Sequence, residues 1–315
     1  MNTIEIGVCL IMAVALTGSA FLTELVRRIA IIDIPNNRSS HSQPTPRGGG
    51  IGLVAMTIFG LICSQIIWHL TTWQGLLFYL GGTALIAVVS WLDDVRSLSA
   101  KVRFLVHFIA AGVVIAKWGY WETLSLPLIG EIHLGPLGIA LTLIWIVGLT
   151  NAYNFMDGID GIAGGQALVA GIGWAIVGWM VSDKFVFAIG GLLAASTLGF
   201  LFYNWSPAKI FMGDVGSTFL GFSFAVIPVI AAQSAPNAHT YIPLIGFLFI
   251  WPFIADTGFT LLRRISKGEN IFQAHRSHLY QRMVIAGYSH QIVSLLYIGL
   301  AIIGSIMSLI ITRKH

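Results

Sequence analysis

The chain is predicted to be an all-α polytopic membrane protein of about ten transmembrane helices, N-out and C-out, with its basic loops on the cytoplasmic side. Three observations predict it. Apolar residues fill 56% of the 315 positions and charged residues only 10%, for a mean hydropathy of +0.84, far from the balance of a soluble domain. Apolar runs of roughly 17 to 25 residues, long enough to cross ~30 Å of hydrocarbon as a helix, recur with short breaks. Lys and Arg collect in alternate breaks: with the N-terminus outside, 13 of the 17 fall on the cytoplasmic side, leaving Lys117, Lys184, Arg313 and Lys314 outside.

The first span, 5–26, lacks a basic n-region and a small-residue cleavage site, so it is read as a retained membrane helix. The others are placed at 50–70, 75–92, 102–119, 136–153, 162–182, 185–203, 216–233, 241–262 and 289–311, in one membrane domain covering 1–315. Thirty-five glycines suit helices that approach closely through small residues. Cys9 and Cys63 lie inside spans with no Cys or His at ligand spacing and are read as packing residues. The segment 120–135 has the pattern of a small outside hairpin. The sequence pI near 9.2 reflects loops facing anionic lipid or an anionic substrate, and nothing calls for nucleic acid.

On this topology the acids are more informative than the bases. Asp33, Asp93, Asp94, Asp157, Asp160, Asp214, Asp256 and Glu269 fall on the cytoplasmic side, with Glu24 close to it, which is nine of 13. The positive-inside rule does not place acids, so a shared polar site at that face is the simplest cause.

Five segments build it. HSQPTPRGGG, 41–50, is either a plain connector or an anion contact, in which Arg47 and the exposed N–H groups of a glycine run meet a phosphate. WLDDVRSLSAKVRF, 91–104, ends a span on adjacent carboxylates that oppose the helix dipole and repel one another unless a cation or proton intervenes. NAYNFMDGIDGIAGG, 151–165, spaces Asn151, Asn154, Asp157 and Asp160 by threes. A single straight helix cannot aim all four at one point, so a helix ending near 156 and a DGID turn at Gly158 and Gly161 are expected to let both aspartates converge. FYNWSPAKIFMGDVGS, 202–217, offers Asp214 as either an N-cap or a hard oxygen ligand for Mg²⁺. RRISKGENIFQAHRSHLYQRM, 263–283, is either a membrane-surface helix or, through His275, Arg276 and His278, a diphosphate contact.

The set DD (93, 94), NxxNFxDGxDG (151–161), FMGDxGS (211–217) and HRSH (275–278), in order on about ten spans, resembles the polyprenyl-phosphate N-acetylhexosamine-1-phosphate transferases over essentially the whole chain. The HRSHLYQRM loop looks more like the branch that starts O-antigen, enterobacterial common antigen and teichoic acid linkage units. The peptidoglycan branch, the phospho-MurNAc-pentapeptide transferases, carries a His-rich HHHFE-type loop that is absent here. His275 stands where many members of the first branch have Asp.

The resemblance implies a multi-pass enzyme of the bacterial inner membrane. Undecaprenyl phosphate attacks the β-phosphorus of a UDP-activated N-acetylhexosamine, UMP leaves, and a lipid-diphosphate sugar is formed. It implies Mg²⁺, with Mn²⁺ as a substitute, held by Asp214 with Asp94 nearby, and Asp93 orienting or deprotonating the lipid phosphate. Asp157 and Asp160 shape the nucleotide pocket, Phe211 stacks on uracil with Asn154 and Asn204 in support, and Arg276 and His278 contact the diphosphate or sugar. A homodimer is compatible with the sequence. Two rival classes fit less well: an intramembrane prenyltransferase expects separated NDxxD motifs, and a secondary transporter expects acids at the bilayer midplane between matched broken helices.

Overall fold

The computed structural model describes residues 3–30, 32–34, 43–96, 98–234, 240–270 and 275–314. Arg38, the His41 and Ser42 that head the Pro/Gly loop, and positions 271–274 of the 263–283 segment lie outside the described residues. Long helices form where the apolar runs lie: α1 (Thr3–Ile29), α2 (Gly50–Trp68), α3 (Trp73–Arg96), α4 (Ala100–Trp118), α5 (Leu137–Phe155), α6 (Ile162–Met180), α7 (Lys184–Asn204), α8 (Asp214–Ser234) and α9 (Ile242–Ser266). A seven-residue α10 (Leu279–Ile285) precedes the last, α11 (His290–Lys314). Among the described residues nine helices are long and apolar enough to cross a membrane, and α4, of similar length, carries Lys101, Arg103 and Lys117. The fold is therefore an all-α polytopic membrane bundle. The third span runs further than expected, to Arg96, so Asp93 and Asp94 sit inside the last turn of α3 rather than beyond it.

Helix α8 is the central column, with 94% of its most apolar window buried against 22% for α1 at the rim. It touches α2, α3, α4, α5, α6, α7 and α9. Because α8 begins at Asp214, the most enclosed helix of the bundle carries a carboxylate to its polar end.

Small residues set the helix spacing, as expected. Between α6 and α7 a Cβ at Gly190 would stand 2.5 Å from the Ala175 backbone nitrogen, and one at Gly171 would stand 2.8 Å from that of Ala194. These neighbours are backbone and cannot swing aside. Gly190→Ala is expected to cost about 1–3 kcal/mol by overpacking, read as a lower melting temperature in detergent, while Gly112→Ala, with nothing near its Cβ, leaves it unchanged.

Two short ribbons cover opposite ends of the bundle. β1 (Ile32–Asp33) pairs antiparallel with β2 (Thr45–Pro46) and brings the chain from α1 back toward α2. β3 (Thr123–Leu126) and β4 (Gly130–His133) form the hairpin expected within 120–135, pinned by Ser125, whose hydroxyl donates to Thr240 Oγ1 at 2.7 Å. The ends of α1, α3, α5, α7 and α9 and the segments that follow them lie on one face, where Arg47 meets Asp94 and Asp214 and where Tyr280 meets Phe155. There the polar residues meet.

Candidate active site

Two segments, 46–50 and 211–212, are first joined through their backbones. Phe211 N–H donates to Pro46 O at 2.8 Å, Gly48 and Gly49 N–H donate to Phe211 O at 3.1 and 2.9 Å, and Gly50 N–H donates to Met212 O at 2.9 Å. Only glycine permits this approach: a Cβ at Gly50 would lie 2.5 Å from the Gly216 Cα, and Gly213 adopts φ +80° with its Cβ position 3.3 Å from the Gly48 Cα. The expectation that the glycine N–H groups meet an anion is thereby corrected. All three are spent on carbonyls, and the run serves to lay Arg47 against the FMGD turn.

Arg47 then bridges two carboxylates. One guanidinium nitrogen lies 2.8 Å from Asp94 Oδ1 and 2.6 Å from Asp214 Oδ1. Burial alone would weaken its charge, but Asp214 and Asp94 outweigh that and hold it more firmly protonated than usual. Asn154 Nδ2 donates to Asp214 Oδ1 at 3.2 Å and to Ser217 Oγ at 2.9 Å, which fixes the α8 start from the α5 side.

The DGID turn forms as expected: α5 ends at Phe155 and Gly161 takes φ +75°. Asp157 faces the Asp94–Arg47–Asp214 group. Burial, reinforced by Asp214 and Asp94 and opposed by Arg47, pushes its carboxyl up to about 7. Asp160 turns elsewhere, accepting from Ala208 N–H at 3.1 Å and standing 3.2 Å from His290 Nδ1. Burial raises its pKa, but the His290 bond and charge, Ala208 N–H and Ser206 outweigh it and hold the carboxyl below its ordinary value. The two aspartates share one cavity, but only Asp157 lies in the field of Asp94 and Asp214.

That cavity encloses about 230 Å³, and its wall includes Arg47, Asn154, Asp157, Asp160, Asn204, Phe211 and Asp214. Asn204 is a brace as well as a wall, since Oδ1 accepts from Gly161 N–H at 3.1 Å and Nδ2 donates to Ile210 O at 3.0 Å. Asp94 reaches the group through Arg47 and is not itself part of the wall.

Asp93, Arg276 and His278 are not on this wall. Adjacent helical positions point about 100° apart, so Asp93 and Asp94 cannot face one site. Asp93 is spent on the α3–α4 corner, accepting from Arg103 and from Leu98 N–H, each at 2.6 Å. His278 is buried with Nδ1 3.1 Å from Asp256 Oδ1. His275 bonds Ser277 Oγ at 2.9 Å, and burial with Arg264 and His278 nearby pushes it down to about 4, so it is neutral at pH 7.

Asp33, Gln281 and His290 also line the wall and were not among the expected site residues. Asp33 was visible only as one more acid on the cytoplasmic side, Gln281 lay inside a quoted motif without distinction, and His290 opened the last span on the same face as the acids.

Asp256, also unassigned from sequence, is an anchor. Its buried carboxylate accepts from Leu279 N–H (2.8 Å), Tyr280 N–H (3.1 Å), Thr260 Oγ1 (3.1 Å) and Tyr297 OH (2.6 Å), beside the His278 contact. Tyr280 in turn donates to Phe155 O at 3.0 Å and packs on Gly158, so the segment after α9 props the DGID turn. Tyr297→Phe removes one bond to a buried carboxylate and is expected to cost about 1.5–3 kcal/mol, read as a lower melting temperature.

No group of three His, Cys, Asp or Glu side chains placed to hold a metal occurs among the described residues. The Asp94–Asp214 pair suffices for a different kind of site, since Mg²⁺ takes one or two carboxylates and completes its shell with water and substrate phosphate. Hard oxygen donors converging within 3 Å of one cationic nitrogen fit that ion's chemistry.

Comparison with known proteins identifies the family of the chain. Residues 76–232 match the model of glycosyl transferase family 4. The chain is 33% identical over 303 residues to the probable undecaprenyl-phosphate N-acetylglucosaminyl 1-phosphate transferase of Bacillus subtilis, covering 95% of this chain and 83% of that protein. It is 30% identical over 314 residues to the decaprenyl-phosphate N-acetylglucosaminephosphotransferase of Mycobacterium tuberculosis H37Rv, covering 90% and 77%. It is 28% identical over 295 residues to the undecaprenyl-phosphate alpha-N-acetylglucosaminyl 1-phosphate transferase of Escherichia coli K12, covering 91% and 78%. With its four motifs gathered on one face of a membrane bundle and relatives of this identity along nearly its whole length, the chain belongs to glycosyl transferase family 4, among the polyprenyl-phosphate N-acetylhexosamine-1-phosphate transferases.

Proposed function

We propose that the protein transfers N-acetylhexosamine 1-phosphate from a UDP-sugar to undecaprenyl phosphate at the cytoplasmic face of the inner membrane, and so starts O-antigen or another cell-envelope polysaccharide. The observation that most supports this is the Asp94–Arg47–Asp214 group beside Asp157 at the end of a cavity of about 230 Å³. An oxygen of the lipid phosphate forms a bond to the β-phosphorus of the donor. The bond from that phosphorus to the bridging oxygen breaks, and its electrons leave with UMP. The acceptor is already anionic, so the main barrier is bringing two phosphates together.

The residues divide that work. Arg47 supplies fixed positive charge, oriented by its two carboxylates. Phe211 offers an aromatic wall for the uracil, and Asn154 sets the direction of Asp214. Mg²⁺ held by Asp214 and Asp94 would neutralise charge on the diphosphate and the leaving UMP. An apolar groove of about 540 Å³ between α5 and α9, walled by Trp145, Leu149 and Ile254 and reaching Ala152 and Thr257, suits the polyprenyl tail. Its polar end adjoins Asn151 and Asp256 in sequence, next to the site-bearing face.

The test is UMP release by purified protein with undecaprenyl phosphate and a panel of UDP-N-acetyl sugars, with and without EDTA. Lipid-dependent release from at least one sugar, abolished by EDTA and restored by Mg²⁺, is expected. Release that ignores EDTA removes the metal from the mechanism, and none from any sugar in folded protein defeats the reading.

A further inference from the structure

We propose that His290, held by Asp160, is a donor-binding residue that contacts the diphosphate of the UDP-sugar. The inference rests on the proposed transferase reading and names the side chain that the HRSH motif was expected to supply.

Charge balance in the cavity points to it. Asp33, Asp157, Asp160 and Asp214 line the wall, and Arg47 and His290 are the basic side chains among the described wall residues. Arg47 is already shared between Asp94 and Asp214. A nucleoside diphosphate entering this space meets carboxylates on several sides and needs a positive partner away from the Arg47 end. His278 is buried on Asp256 and does not reach the wall, so the imidazole in place is His290.

The histidine is also preorganised. Its Nδ1 lies 3.2 Å from Asp160 Oδ1, and Asp160 is itself fixed by Ala208 N–H at 3.1 Å. Ser294, one turn along α11, donates to the Asp160 backbone carbonyl at 2.7 Å, so α11 is tied to the DGID turn through both backbone and side chain. A carboxylate on one ring nitrogen fixes the ring plane, and a diphosphate on the cavity side would share a proton between the other nitrogen and a phosphate oxygen. Asp160 is then a positioning residue acting through His290, while Asp157 belongs to the metal-binding end, which explains why one turn carries two aspartates with different partners.

The experiment compares wild type, His290→Gln and His290→Arg in UMP release, varying donor and lipid separately. The amide of His290→Gln can still donate to Asp160, so a purely bracing role predicts little change. Donor contact predicts a rise of roughly 10- to 30-fold in KM for the UDP-sugar, with KM for undecaprenyl phosphate within about twofold and most of the loss recovered in His290→Arg. The second measurement needs no variant: diethyl pyrocarbonate labelling of wild-type protein, mapped by mass spectrometry, is expected to show His290 protected several-fold by UDP-sugar and not by lipid phosphate alone. An unchanged donor KM in His290→Gln, or equal labelling of His290 with and without donor, overturns the proposal. Absence of UMP release from wild type overturns the transferase reading instead, so the two failures are distinguishable.

Discussion

Asp214→Asn lowers the rate of UMP release by about 10³-fold or more while the protein still inserts and melts cooperatively. Asp214 is where the site's elements meet: it begins the most enclosed helix, takes Arg47 at 2.6 Å and receives Asn154 at 3.2 Å. The amide nearly preserves the side chain's volume, so the expected loss comes from charge rather than folding. With Asn in place Arg47 retains only Asp94, and the hard-oxygen pair suited to Mg²⁺ loses one member. The measurement is kcat at saturating Mg²⁺ together with Mg²⁺ affinity. A variant within tenfold of wild type would remove Asp214 from the mechanism.

Asp157→Asn is expected to separate activity from stability. Turnover falls by about 10²-fold or more, because the carboxylate facing Asp214 and Asp94 is gone. Stability moves the other way. The folded-state pKa of Asp157 is raised from 3.8 to about 7 by burial and its acidic neighbours, so the native state binds its proton more tightly than the unfolded chain does. Its contribution to stability is fully present below pH 4 and is lost as pH rises through about 7. The Asn variant escapes that loss. It should melt above wild type at pH 8, with the gap closing as pH is lowered toward 4. Paired melting curves at the two pH values check this, and a variant less stable than wild type at pH 8 contradicts the electrostatic account. The site would then be one where function is maintained against the stability of the fold.

Particular residues show how far each kind of information reaches. The break of the polar run near 156 was legible because residues spaced by threes drift around a helix and two glycines follow, and α5 does end at Phe155. The adjacent pair at 93 and 94 looked like one acidic unit, yet helical geometry sends Asp93 to Arg103 and Asp94 to Arg47. The HRSH motif marked a loop that packs against the site, but its His278 does not reach the cavity wall. Asp256, placed in sequence only as one of nine acids, captures His278, and His290 from another helix takes the cavity.

Composition, run length and the distribution of charge along the chain by themselves determine a membrane bundle and the gathering of its acids at one end. Those are one-dimensional consequences: hydrocarbon thickness sets segment length, and an ionisable group is too costly to leave among lipids. Which carboxylate meets which cation was decided only by tertiary structure. That choice depends on the rotation of each helix about its axis and on close backbone approaches such as Gly50 to Gly216, and neither is written in the spacing of residues along one segment.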